Sequence, residues 1–308
     1  MKKNKIEIKY FILFSLISSL PIFIFFMLGI YLIQIVSVSL FYQIIILFGF
    51  SLVLATIMTT ALSIINPAVS DAMLTLRRLL RFESLSNPLL MKLSIMAPGT
   101  YHHSMNVSNL AQRACKAIGA DSLLVRTAAY YHDIGKVDNS TLFIENQAES
   151  EIPQEESAES IRDTANKIIS HVENGVKITE EHNLPDSIVN LIAEHHGTTR
   201  AWLFYSKAVE KGLKIKRTDF RYKGPIPQTK ESAVLMISDC VEAAARAEQI
   251  LTKDTIADIV NNIIEERLKE NQFKNINFTE GDLEKIKKSL IDTLLSIYHQ
   301  RIRYTKQP

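Results

Sequence analysis

The stretch LLVRTAAYYHDIGK, residues 123–136, decides the fold. It is an apolar run with helical spacing that delivers a histidine and an aspartate directly into a glycine turn. A helix over Leu123–Asp133 is expected, with Gly135 allowing a sharp departure that aims His132 and Asp133 at one point. Imidazole nitrogen with carboxylate oxygen is a ligand set for borderline divalent metals such as iron, manganese or zinc. Eight histidines occur in the chain, and six lie at His102–His103, His132, His171 and His195–His196. Asp239, within MISDCVEAAARA (236–247), is a second candidate carboxylate. Taken singly, a helical histidine is more often a hydrogen-bonded or surface residue than a ligand, and His-Asp is a dipeptide that chance supplies. HDIGK at the end of an apolar helix carries more weight. So does the His195–His196 doublet before Gly197, which is placed to cap its helix. Helix ends converging in this way would assemble a two-metal centre between packed helices.

The helical pattern extends on both sides. Ser104–Ile118 carries Met105, Val107, Leu110, Ala111, Ala114 and Ile118, with Gly119 placed to end it. Further helices are expected over Ile161–Glu181, Ser187–His196, Lys230–Ile250, Asp254–Glu270 and Thr279–Arg303, the last opened by a capping box of Thr279 and Asp282. Residues 72–86 read as a connecting helix. No alternating strand pattern of useful length occurs, so the expected class is all-α. Residues 145–163 hold seven acids against Arg162, and residues 207–223 hold seven bases against two acids. Each reads as a solvated loop or helix face. In functional terms they would be a mobile flap and a surface that draws an anionic substrate or lipid headgroups. Cys115 and Cys240 read as core packing, without a disulfide.

Thirty-five basic against 33 acidic residues give a formal charge of +2, so charge makes no case for a nucleic-acid polymer as partner. A charged fraction of 22% excludes wholesale disorder. The distribution is uneven, because no charged residue or histidine occurs from Tyr10 to Ser70. Those 61 residues suffice for two bilayer crossings of about 20 residues each. Spans are expected near residues 10–35 and 43–66, with the reversal around Ser37–Gln43. Lys2, Lys3, Lys5 and Lys9 flank one end, and Arg77, Arg78 and Arg81 the other, which places both ends on the cytoplasmic side. The expected organisation is a two-helix transmembrane hairpin over 1–70, a connecting helix or linker over 71–90 and a helical bundle over 91–308. This makes a multi-pass protein of the cytoplasmic membrane with its bundle in the cytoplasm.

APGTYHHS (97–104), YYHDIGK (130–136), FIENQ (143–147), EHHGTT (194–199), DFRYKGPIPQTKE (219–231) and ISDCVEAAARA (237–247) resemble the HD-domain metal-dependent phosphohydrolases. Within that class they resemble the seven-transmembrane HD-type cyclic-di-AMP phosphodiesterases, over residues 75–305. The resemblance implies an HD-domain helical bundle with two divalent transition-metal ions, iron or manganese. His103, His132, Asp133 and Asp239 would hold one, His171, His195 and His196 the other, and Asp133 would bridge them. It further implies in-line attack of an activated hydroxide on phosphorus, opening cyclic-di-AMP to pApA with no Ser or Cys nucleophile. Lys136 would contact a phosphate as a point charge, and His102 would orient substrate or pack. The family pattern also has seven spans and a large outer domain. Here a shortened membrane region would anchor the domain in the lipid bilayer or bring two copies together as a homodimer. The sequence AESEIPQEESAES (148–160) stands where an Asn-Pro-His string is expected. A cyclic-di-GMP hydrolase would carry Gly-Tyr-Pro after the His pair, where HHGTTRAWLFY stands, and a guanosine-tetraphosphate hydrolase would carry HDxxED. The rival readings are a hydrolase of another nucleotide or a linear dinucleotide, and a membrane-tethered nucleotide receptor without turnover.

Overall fold

The computed structural model describes residues 79–147 and 157–298, with scattered helical positions between 42 and 77. Two compact units divide the chain, Met1–Arg77 and Arg78–Pro308. Among the described residues no helix is long and apolar enough to cross a membrane. Most of the 61 uncharged residues in which the hairpin is expected, including all of its first span, lie outside the described set.

The second unit is all-helical among its described residues, apart from one isolated antiparallel bridge between Arg200 and Arg221. Among the described residues, 79–83 are helical, and ten α-helices follow in order: α1 (Pro88–Met96), α2 (Pro98–Ile118), α3 (Ser122–Tyr131), α4 (Ala158–Ile169), α5 (His171–Glu181), α6 (Asp186–Glu194), α7 (Trp202–Glu210), α8 (Lys230–Ala247), α9 (Lys253–Lys269) and α10 (Glu280–Ile297). A 3-10 segment, Ile134–Leu142, carries the chain away from the end of α3. Side-chain caps fix several starts. Asp121 accepts from the backbone N–H of Leu123 and Leu124. Thr229 with Ser232, Thr252 with Thr255 and Thr279 with Asp282 form reciprocal capping boxes. The helix over 104–118 stops at Gly119 as its position implied.

α2 and α8 are the central pair. α2 buries Val107, Leu110, Ala111, Ala114 and Cys115, and α8 buries Val234, Leu235, Met236, Ile237 and Val241. α1, through Leu89, Leu90 and Leu93, together with α3, α6, α9 and α10, completes this core. A smaller cluster of Ile161, Ala165, Phe204, Ala208 and Phe220 holds α4, α7 and the segment before Tyr222 together.

Two sequence expectations are corrected. The single helix over Ile161–Glu181 is two, broken at Ser170, whose hydroxyl bonds the Lys167 carbonyl; hydrophobic spacing runs through the break unchanged. Within the basic stretch 207–223, α7 supplies the first positions as a helix face, and Arg221 donates to the Thr198 carbonyl at 2.8 Å. The acidic stretch is split: Glu145 is half-buried and paired with Lys136, 148–156 lie outside the described residues, and the remainder opens α4. The expected helix end at Arg303 also lies outside the described residues, α10 closing at Ile297.

Gly135 has a different reason from the expected one. Its φ is not positive; a β-carbon there would collide with the backbone carbonyl of His171 and the backbone N of Gly175. The residue lets the chain after α3 lie against the first turn of α5, and this contact brings His171 to Asp133. Gly281, by contrast, has nothing closer than Thr279 Oγ1 at 3.8 Å. Gly135→Ala is therefore expected to cost about 1–3 kcal/mol by overpacking, whereas Gly281→Ala should be neutral or stabilising by up to about 1 kcal/mol. Thermal unfolding of the two variants checks this, and equal behaviour would contradict the close approach.

Candidate metal centre

Seven side chains meet between the helices. His132 follows α3 as its C-cap, and Asp133 comes next with φ −106° and ψ 14°, turned out of the helix. His171 opens α5, His195 is the C-cap of α6, and His196 precedes Gly197, whose φ of +52° turns the chain away. His103 and Asp239 project from the interiors of α2 and α8. Asp133, His171, His195 and His196 offer ligand atoms within 4.8 Å of one another, and so do His103, His132 and Asp239.

Asp133 stands between the two groups. Its Oδ1 lies 3.2 Å from His171 Nε2 and 3.9 Å from His195 Nε2. Its Oδ2 lies 3.2 Å from His132 Nε2 and 3.7 Å from His103 Nε2. Asp239 Oδ1 is 3.0 Å from His103 Nε2 and 3.7 Å from His132 Nε2, while its Oδ2 is 3.6 Å from His196 Nδ1. The structure brings all seven of these residues into one cluster. Two of the seven, however, come from helix interiors rather than helix ends.

Three of the imidazoles are oriented by one local device. The Nδ1–H groups of His132, His171 and His195 donate to the carbonyls of Ala129, Ile168 and Ile192, each three residues earlier, at 2.8, 2.6 and 2.6 Å. These carbonyls belong to last turns of helices, where backbone acceptors lack intrahelical partners. A carbonyl can only accept, so each ring presents Nε2 to the centre. His171 Nε2 and His195 Nε2 then face each other at 3.2 Å, and His132 Nε2 and both Asp133 oxygens are buried without a hydrogen bond of normal geometry.

Such an arrangement calls for positive charge. Burial opposes ionisation of Asp133, yet His132 and Lys136 hold its carboxyl well below the usual carboxylate range. Burial likewise opposes a charge on His132, but Asp133 outweighs it and pushes that imidazole up to about 10. A proton there occupies a place where a cation would bind. Burial, reinforced by His132 and His171, drives His195 down to about 3, which leaves it in the neutral form that ligates metal. Orphaned lone pairs, two carboxylates and converging imidazole nitrogens together fit a pair of divalent cations with N/O ligands, and thiolate takes no part.

Lys136 reaches the same centre. Its Nζ lies 2.7 Å from Asp133 Oδ2 and 2.8 Å from Glu145 Oε1, and 4.8 Å from the centre of the Phe143 ring. Thr100 Oγ1 also donates to Glu145 at 3.1 Å. His102 is exposed and edge-on to Tyr101, outside the cluster. Tyr222 covers His196, with ring centres 4.2 Å apart and planes at 31°, and is placed by hydrogen bonds pairing 199–201 with 220–222. A cleft of about 600 Å³ opens from the centre between Phe143, Trp202 and Arg246. Cys240 lines it and is half-buried rather than part of the core, unlike the fully buried Cys115.

Residues 100–244 match the family model for the HD domain. A crystal structure of the L. monocytogenes phosphodiesterase PgpH HD domain in complex with cyclic-di-AMP is 44% identical, with a TM-score of 0.66, covering 71% of this chain and all of that one. The chain belongs to the HD-domain family. Cyclic-di-AMP phosphodiesterase PgpH of Listeria monocytogenes is 44% identical over 233 residues, and that of Bacillus subtilis 41% identical over 231. Each match covers 75% of this chain and 32% of the relative, so the chain spans about a third of their length.

Sequence reasoning misses several residues of this HD centre. Glu145 stands in the string FIENQ but belongs to an acidic run that reads as solvated. Tyr222 stands in DFRYKGPIPQTKE with no role of its own. Glu242, buried against His103, carries one usable signal: it lies three residues after Asp239, on the same helix face. If the centre takes up divalent cations, Mn²⁺ at about 100 times its Kd should stabilise the fold by about 2.7 kcal/mol, and a chelator should remove that gain. Unfolding temperatures that respond to neither would contradict the fit.

Proposed function

We propose that this chain is a metal-dependent phosphodiesterase that hydrolyses a cyclic dinucleotide, cyclic-di-AMP, to pApA. The observation that carries the proposal is the 44% identity, across the whole of its length, to an HD domain crystallised with cyclic-di-AMP. His103, His132, Asp133 and Asp239 would hold one cation and His171, His195 and His196 the other, with Asp133 shared. Iron and manganese suit this set of imidazoles and carboxylates. When bound, such a pair supplies Lewis-acid charge beside a phosphodiester and lowers the pKa of water.

The chain's own residues account for the rest. The histidine Nδ1–H bonds to last-turn carbonyls keep the ring orientations fixed without a substrate present. Lys136, held between Asp133 and Glu145 and lining the cleft, offers an ammonium to a phosphate oxygen. Burial lowers its pKa but Asp133 and Glu145 outweigh this, so it stays charged. In the overall reaction water adds to phosphorus, the phosphorus–O3′ bond breaks, and O3′ leaves as a hydroxyl, which opens the ring to the linear dinucleotide.

Outside the HD domain, the uncharged stretch from Tyr10 to Ser70 would be a two-span hairpin that anchors the chain in the cytoplasmic membrane. Residues 71–90 would be the connector and 91–308 the cytoplasmic domain. The hairpin would also be the element through which two copies associate.

Turnover of cyclic-di-AMP and cyclic-di-GMP by the purified chain, with Mn²⁺ or anaerobic Fe²⁺, tests this directly. The expected result is pApA as product and a clear preference for the adenine substrate. Binding without turnover would favour a receptor, and equal turnover would remove the stated specificity. Asp133→Ala should lower kcat by more than about 100-fold, because loss of groups that merely support metal ligands already costs about 10–100-fold. Retained activity would overturn the ligand assignment.

A further inference from the structure

His103 cannot be oriented as the other imidazoles are. It lies in the interior of α2, where the carbonyls three and four residues earlier are engaged in the helix ladder. Its Nδ1–H instead meets Glu242 Oε2, across the contact between α2 and α8. Glu242 is 0% exposed and sits three residues after Asp239, so α8 holds both nitrogens of one ring: Asp239 on Nε2 at 3.0 Å and Glu242 on Nδ1.

α2 returns the arrangement. Asn106, three residues after His103, donates its Nδ2–H to Glu242 Oε1 at 3.1 Å. Two i,i+3 pairs, His103 with Asn106 and Asp239 with Glu242, therefore interlock on facing helices. Arg246 Nη1 stands 3.7 Å from Glu242 Oε2, and the Tyr298 hydroxyl 3.5 Å from Oε1. The rings of His132, His171 and His195 donate to neutral carbonyls; this one donates to a carboxylate, which makes its Nε2 the more basic donor.

We propose that Glu242 is a positioning residue, an anionic clamp on His103 that sets the affinity of the cation site formed by His103, His132 and Asp239 without touching the cation or the substrate. The proposal rests on the two-cation reading above and adds an asymmetry to it: one of the two sites depends on Glu242 and the other does not.

The test is calorimetric titration of the metal-stripped full chain with Mn²⁺, paired with the metal-to-protein ratio after desalting. Wild type should show two binding steps. Glu242→Ala should weaken one step by about 10–100-fold and leave the other unchanged, with one ion lost on desalting. Glu242→Gln keeps an acceptor oxygen for Nδ1–H and should lose less, and this milder variant keeps the test open if the alanine variant does not fold. Asn106→Ala should weaken the same step by a smaller factor. A purely structural role would lower the unfolding temperature while leaving both steps intact or weakening them equally, and either result overturns the clamp. If wild type takes up no Mn²⁺, the clamp and the functional reading fall together. Selective loss of one step in a protein that leaves cyclic-di-AMP intact would sink the functional reading alone.

Discussion

A carboxylate only 1% exposed to solvent and ringed by imidazoles has to be balanced by positive charge, and Asp133 is in that position. Removing an ion from water costs several kcal/mol even after the surroundings relax, so its neighbours cannot be arbitrary. Lys136 answers part of the demand from the cleft side, and a protonated His132 another part from within. Divalent cations held there would answer it more completely, because the lone pairs of His171 and His195 that oppose each other at 3.2 Å would also find a partner.

Much of the fold derives from holding that point. α3 must end at Tyr131 for His132 and Asp133 to turn inward, and the chain beyond must run against α5, which only glycine permits at 135. α5 must begin afresh at His171 so that its ring can use the Ile168 carbonyl. Of the seven clustered residues, His103 and Asp239 alone come from helix interiors, on α2 and α8. Those helices compensate with an interlocked set of side-chain contacts in place of free carbonyls. The same elements wall the cleft, so the site and the core share one set of packing constraints.

How much of this the sequence discloses depends on separation along the chain. His132 with Asp133, and His195 with His196, are legible because adjacent residues at a helix end need no tertiary knowledge. His171 and Asp239 are candidates by residue type alone, and a role for them comes only through resemblance to a family, since a lone histidine and a lone helical aspartate have no local signature. The contact of His103 with Glu242 spans 139 residues, and no periodicity announces it. Helix starts are legible where a capping residue marks them, as at Thr279. The break at Ser170 is not, because the apolar spacing continues across it. Charge runs mislead in a specific way: Glu145 is averaged with its acidic neighbours, although a single cation partner decides its environment.

The central claim is that Asp133 joins two cation sites, and anomalous diffraction from crystals grown with Mn²⁺ tests it most directly. The account requires two peaks, one between Asp133 Oδ1 and the imidazoles of His171, His195 and His196, the other between Asp133 Oδ2 and His103, His132 and Asp239. A single peak away from Asp133, or none in a well-ordered crystal, would contradict it.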